Sequence, residues 1–126
     1  MYKRQLGDSL TLVGYDVDPD APSPGGEVQV TLYWRVEQPL GRDYHTYVHI
    51  LDEGGQPIAQ SDHRPGQEFY PSSMWQAGET LLDVHVLVIP AETQAGVVTL
   101  VAGAYEYPSL APVGSPLTLG ELFVRP

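Results

Sequence analysis

Several residues have types and spacings that could do chemistry. His45 and His49 stand four apart. On a helix that spacing puts two imidazoles on one face, ready for zinc. On a strand they share a face but lie ~13 Å apart, too far for one ion without ligands from elsewhere. The flanking Tyr44, Thr46, Tyr47, Val48 and Ile50 favour a strand, so two histidines at or near the surface are expected. Asp83-Val84-His85 places a carboxylate and an imidazole on one strand face, ~7 Å apart at Cα. They could pair or, with help, hold a metal. No third ligand is assigned, and burial of that face would favour a satisfied hydrogen-bonded pair. Ser61-Asp62-His63 contains the residue types of a hydrolytic triad, but strand neighbours point alternately away and cannot converge. Asp16, Asp18 and Asp20 alternate as in a calcium loop. Pro19, Pro22 and Pro24 contradict the helices of an EF-hand, leaving only a different kind of loop site for that ion.

Gly7-Asp8-Ser9-Leu10 spells the GDSL esterase signature. The serine of that family needs a partner Asp and His on a parallel α/β scaffold. No Asp-x-x-His follows anywhere in this chain, and no helical periodicity alternates with its strands. The expectation is a turn before the first strand and a domain that is not an enzyme, with no metal or cofactor. The aromatic residues offer a different chemistry. Exposed rings on a sheet or loop rim stack on sugar rings, while carboxylates accept sugar hydroxyls. Tyr33, Tyr47, Phe69, Tyr70 and Trp75 are the ligand-binding candidates on this reading. The competing expectation is that these rings fill pleats and cover sheet edges.

Such groups have to be positioned by strands. Gly and Pro together number 25 and punctuate the chain at short intervals. Between them the pattern has period two. Residues 27–37 are clearest: Val28, Val30, Leu32, Trp34 and Val36 share one face, Gln29, Thr31, Tyr33 and Arg35 the other. Strands are also expected at 9–17, 44–51, 57–63, 80–89, 97–107 and 117–124, with an irregular stretch over 64–78. Asp52-Glu53-Gly54-Gly55-Gln56 reads as a hairpin turn. Leu10 and Leu12 are placed on one face of the first strand with Gly14, opposite Tyr15 and Val17. Thr46, Val48 and Ile50, and likewise Val98, Leu100, Ala102 and Ala104, are expected to face inward. About seven such strands predict an all-β, antiparallel two-sheet sandwich with an immunoglobulin-like Greek key and Trp34 at its centre. A jelly roll is the alternative. Pro57 and Pro116 are expected to guard sheet edges.

Composition sets outer limits. A chain of 126 residues, 42% apolar, suits a single domain spanning 1–126 with one core. The net charge of −10, with only six scattered basic residues, argues against nucleic acid and anionic lipid. There is no Cys, so no disulfide or thiolate metal site is available. There is no Asn, hence no N-glycosylation acceptor. No apolar run reaches the ~18 residues of a membrane span, so no membrane insertion by this segment is expected. No apolar stretch of a signal peptide follows Met1, and the segment is read as excised from a larger protein.

Several stretches taken in order carry a resemblance: Leu12-Val13-Gly14-Tyr15-Asp16, Val30-Thr31-Leu32-Tyr33-Trp34, Tyr47-Val48-His49-Ile50-Leu51-Asp52, residues 70–79 from Tyr70 to Glu79, and Val101-Ala102-Gly103-Ala104-Tyr105. Together they resemble the β-sandwich domain appended to bacterial, Chloroflexi-type membrane proteins of the glycosyltransferase (mannosyltransferase-like) type. The resemblance implies an accessory domain on the extracytoplasmic face, beside a membrane-spanning catalytic part. A fainter one, through Leu51-Asp52-Glu53-Gly54-Gly55, Ala77-Gly78-Glu79-Thr80 and the final strands, is to immunoglobulin-like intracellular proteinase inhibitors of bacilli. Two alternatives to an accessory role are carried forward: a carbohydrate-binding module with a glycan partner, and an inhibitor-like binder of a protein partner.

Overall fold

Alternating apolar and polar residues bury one face of each strand, and two sheets built this way cover each other. The computed structural model describes residues 4–39, 43–63 and 75–126. Eight strands occur there: β1 (Arg4–Leu6), β2 (Leu10–Asp18), β3 (Glu27–Val36), β4 (Tyr44–Leu51), β5 (Pro57–His63), β6 (Thr80–Val88), β7 (Gly96–Glu106) and β8 (Leu117–Val124). One sheet has the order β1-β2-β3-β6 and the other β5-β4-β7-β8, with every pairing antiparallel. β6 lies beside β3 although β4 and β5, between them in sequence, belong to the opposite sheet. That crossing makes a Greek-key sandwich. Among the described residues no helix is long and apolar enough to cross a membrane.

The core follows the strand pattern. Val28, Val30, Leu32, Trp34 and Val36 of β3 are fully buried, with Val48 and Ile50 of β4 and Leu100 and Ala102 of β7 facing them. β2 departs from simple alternation. A bulge between Leu12 and Gly14 flips its faces, so Leu10 and Leu12 are buried before it while Tyr15 and Val17 pack on the core after it. The Tyr15 hydroxyl then donates to the Leu119 carbonyl at 2.8 Å and ties the two sheets together. The strand missing from the sequence-based expectation is β1, three residues long and paired to β2 across a turn at Gly7, whose φ is +61°.

The hairpin between β4 and β5 forms where its turn residues predict it. The Asp52 carboxylate accepts from the Gly54 and Gln56 amides, both at 2.9 Å, and Gly55 takes a φ of +81°. Pro57 opens an edge strand, and Pro116 directly precedes another.

Candidate functional site

β4, β5 and β7 of one sheet and β6 of the other bring the chemistry-bearing residues into two groups on opposite sides of one sheet. Alternation decides the group to which each residue belongs. On β4, Thr46 turns inward while His45, Tyr47 and His49 turn outward. On β5, Ser61 and His63 reach the inner group, and Asp62 between them is exposed. Ser61-Asp62-His63 is therefore split by the pleat, as strand geometry requires.

The inner group centres on Asp83, 2% exposed. Its Oδ2 accepts from the Trp34 indole at 3.1 Å and the Thr46 hydroxyl at 2.5 Å, and lies 3.1 Å from His85 Nε2. Its Oδ1 lies 2.7 Å from His63 Nε2. His85 is fully buried, and its Nδ1 is 2.8 Å from the Ser61 hydroxyl. With the His85 proton on Nε2, Ser61 donates to Nδ1 and both ring nitrogens of His85 and both oxygens of Asp83 have partners. Burial alone would raise the Asp83 carboxyl. Hydrogen bonds from His63 and His85, the charge His85 carries when protonated and the Thr46 hydroxyl outweigh it and hold the group well below the usual carboxylate range.

His63, Asp83 and His85 also offer three metal-ligating atoms within 4.8 Å of one another, so His63 is the third residue that Asp83-Val84-His85 lacked in sequence. The two imidazoles stack at 3.9 Å with only 9° between their planes. A shared cation has to lie in both ring planes, and parallel stacked planes do not meet. The arrangement suits hydrogen bonding. Ser61, His85 and Asp83 likewise form a hydroxyl–imidazole–carboxylate chain, but the carboxylate serves four donors and the imidazole is enclosed. A cavity of about 530 Å³ lies elsewhere, lined by Ile58, Glu92, Gln94 and Val98 among others.

The outer group is an aromatic row on the solvent side of β4 and β7. His45 stacks on Tyr107 at 4.3 Å and 13°, and Tyr105 lies 5.5 Å from the His45 ring. Tyr47 follows, 6.2 Å from Tyr105 and 4.6 Å from His49. Tyr47 pairs with Gly103 on β7 and with Asp62 on β5. A Cβ at Gly103 would overlap the Tyr47 phenol, so this ring lies across the glycine, along the sheet. The Tyr105 hydroxyl donates to Asp62 Oδ2 at 3.1 Å, and His49 Nε2 stands 3.6 Å from Asp62 Oδ1. Burial, then the Asp62 charge, pushes the Tyr47 phenol up; the same causes with the Asp62 hydrogen bond raise Tyr105. Both phenols therefore keep their protons at neutral pH and serve as donors. The row offers flat ring surface, hydroxyl donors and one exposed carboxylate acceptor side by side.

The five aromatic candidates separate. Tyr47 is central to the row. Tyr33 lies on the outer face of the opposite sheet, donating to Asp16 Oδ2 at 2.6 Å, which pushes its phenol up. Trp75 is 1% exposed and belongs to the core. The expectation of an exposed Trp75 is thus corrected. Hydrogen bonds of 2.7 Å from the Gly78 amide to Val36 and 2.8 Å from the Val36 amide to Glu79 fasten its segment onto the end of β3, and the large apolar indole goes inside. Phe69 and Tyr70 lie outside the described residues. Sequence reasoning missed His45, Tyr105 and Tyr107 as members of one row with Tyr47. The signal was the pairing of β4 with β7, which one strand's pattern does not contain. The alternating Asp16, Asp18 and Asp20 do not join a group of three ligating residues among the described residues.

This sandwich is similar to known structures. The crystal structure of the C-terminal domain of wzt matches with a TM-score of 0.60 and 12% identity, covering 97% of this chain and 72% of that one. A beta-glucuronidase from glycoside hydrolase family 2 matches with a TM-score of 0.59 and 12% identity over 99% of this chain. The chain spans only 11% of that enzyme. At such identity the likeness shows the fold. No protein-family model matches the chain, and no curated protein matches it.

Proposed function

We propose that this chain is a non-catalytic accessory domain that binds carbohydrate through the outer face of β4 and β7. The observation that carries the reading is the row Tyr107, His45, Tyr105, Tyr47 and His49, with Asp62 beside it. A pyranose presents an apolar C–H face and a rim of hydroxyls. Tyr47, laid over Gly103, supplies the matching flat surface, and Asp62 supplies an acceptor. The acidic balance of the chain suits a neutral or cationic glycan better than an anionic one. The two structural neighbours support an accessory role: one is an excised C-terminal domain, and the other is matched over a small part of its length. The parent protein belongs to the same proposal. The sequence resemblance supports a membrane-anchored bacterial glycosyltransferase-like protein, with this domain on the extracytoplasmic side.

The test is a glycan array probed with the unaltered chain and with Tyr47→Ala and Tyr105→Ala. Binding to a defined glycan class, lost by at least tenfold in both variants, is the expected result. Retention of binding in both variants, or no binding to any glycan, defeats the reading.

A further inference from the structure

Each sheet of a sandwich ends in two edge strands, which can pair with another chain unless something blunts them. Three of the four edges here carry such a device. β1 is three residues long. β5 begins with Pro57, and its pairing to β4 is bulged at Ile50/Leu51. β8 follows Pro116, and its pairing to β7 is bulged at Leu100/Val101. β6 differs from all three. It is nine residues long and pairs with β3 in unbroken register from Glu27↔Val88 to Arg35↔Thr80. It contains no Pro, Lys or Arg, and its His85 is buried. Its only acidic side chain, Asp83, is turned into the core and held there by its four donors. Outward it shows Leu82, Val84, Val86 and Val88, exposed by 59, 39, 49 and 57%. Among the described residues nothing pairs with its free edge.

We infer that β6 is a pairing edge and that its partner is a second copy of this chain. The strand is self-complementary. With a two-fold axis at His85, an antiparallel β6–β6 ladder sets Leu82 against the partner's Val88 and Val84 against the partner's Val86. Every outward pair is then apolar, and the two sheets join into one of eight strands. No carboxylate faces another across this seam, although the chain as a whole carries a net charge of −10. A partner of different sequence gains nothing from this internal symmetry. The four side chains expose on the order of 300 Å² per copy, below the roughly 800 Å² per partner of a stable interface. The backbone ladder of a single nine-residue strand adds to this contact without bringing it to that size, so the dimer is weak and concentration-dependent. Salt strengthens it by screening the repulsion between two acidic chains.

The test is sedimentation equilibrium of the full chain up to about 1 mM, a range that reaches weak complexes, at low and high salt. A monomer–dimer equilibrium shifted toward dimer by salt is expected. The double variant V84K/V86K is expected to be monomeric, with far-UV circular dichroism unchanged because both positions are at the surface. Mixed with V84E/V86E, itself monomeric, it is expected to dimerise again, since lysines then oppose glutamates. A monomeric parent chain throughout the range, a dimer indifferent to V84K/V86K, or a mixture of the two variants that stays monomeric overturns the inference.

Discussion

The two sides of the β5-β4-β7-β8 sheet carry the same residue types and use them in opposite ways. Inside, one carboxylate, Asp83, is surrounded by two imidazoles, an indole and a hydroxyl, all directed at it. Outside, one carboxylate, Asp62, is exposed, and among the described residues it accepts a tyrosine hydroxyl and stands beside His49. The inner group is closed, because every partner it needs comes from β3, β4, β5 and β6. The outer group is open, because its rings and its carboxylate lie on the solvent side of the sheet. Adjacent residues, Thr46 and Tyr47, or Asp62 and His63, fall into different groups solely because a strand points its side chains alternately. Chemical type therefore says little about role in this fold; the side of the sheet decides it.

The inner group depends most on Asp83. Asp83→Ala leaves the Trp34 indole N–H, the Thr46 hydroxyl and two imidazoles buried or half-buried without their common acceptor. Removing one member of a buried charged network costs about 3–5 kcal/mol, a large part of the roughly 5–15 kcal/mol that holds a domain folded. Urea denaturation is expected to show that loss as a lower midpoint. An unfolding free energy within about 0.5 kcal/mol of the parent's would mean the inner group holds nothing together.

Acid gives a graded version of the same contrast. Asp83 is depressed in the folded state, so its contribution is fully present above the unfolded value of 3.8 and is lost as pH falls toward the lower folded value. Thermal unfolding followed from about pH 5 downward is expected to show a steeper fall in Tm below about pH 4 for the parent than for Asp83→Ala. Equal slopes would place the acid-labile carboxylate elsewhere.

Much of the inner group's setting was legible in the sequence, and little of its membership was. The alternation of β3 placed Trp34 in the core, and that of β4 placed Thr46 there, because a two-residue period survives any tertiary context that buries one face. Asp83 and His85 could be read as sharing a face for the same reason. His63 and Ser61 could not be joined to them: β5 and β6 lie in different sheets, and the contact comes from packing across the sandwich. β2 misled for a local reason. Its bulge adds one residue that alternation does not count, so Gly14 and Tyr15 exchange faces relative to the simple pattern. Trp75 misled because an irregular segment has no period from which to read burial. The outer row depended on the register that sets Tyr47 opposite Gly103, which emerges only when β4 and β7 pair.

The smallest expected effect on stability is also the sharpest test of the outer face. Gly103 lies within β7 and has no positive φ, so the backbone accepts an alanine, and the atoms nearest to an added Cβ all belong to the Tyr47 phenol. Gly103→Ala sets a methyl group where that ring lies, and the phenol, being the free end of a side chain, swings up from the sheet. Gly to Ala within a strand regains roughly 0.5–1 kcal/mol of backbone entropy, which offsets the lost ring contact. Stability is therefore expected to stay within about 1 kcal/mol of the parent. Glycan affinity is expected to fall by at least tenfold, because the sugar loses a flat platform while Tyr47, Tyr105 and Asp62 are all still present. Isothermal titration with the best array glycan measures the affinity, and the thermal midpoint measures the stability. A variant that binds as the parent does would show that the ring's orientation over Gly103 is a packing solution for the sheet. A variant that loses binding and keeps its midpoint separates the two sides of the sheet completely: the inner group holds the fold, and the outer one meets the ligand.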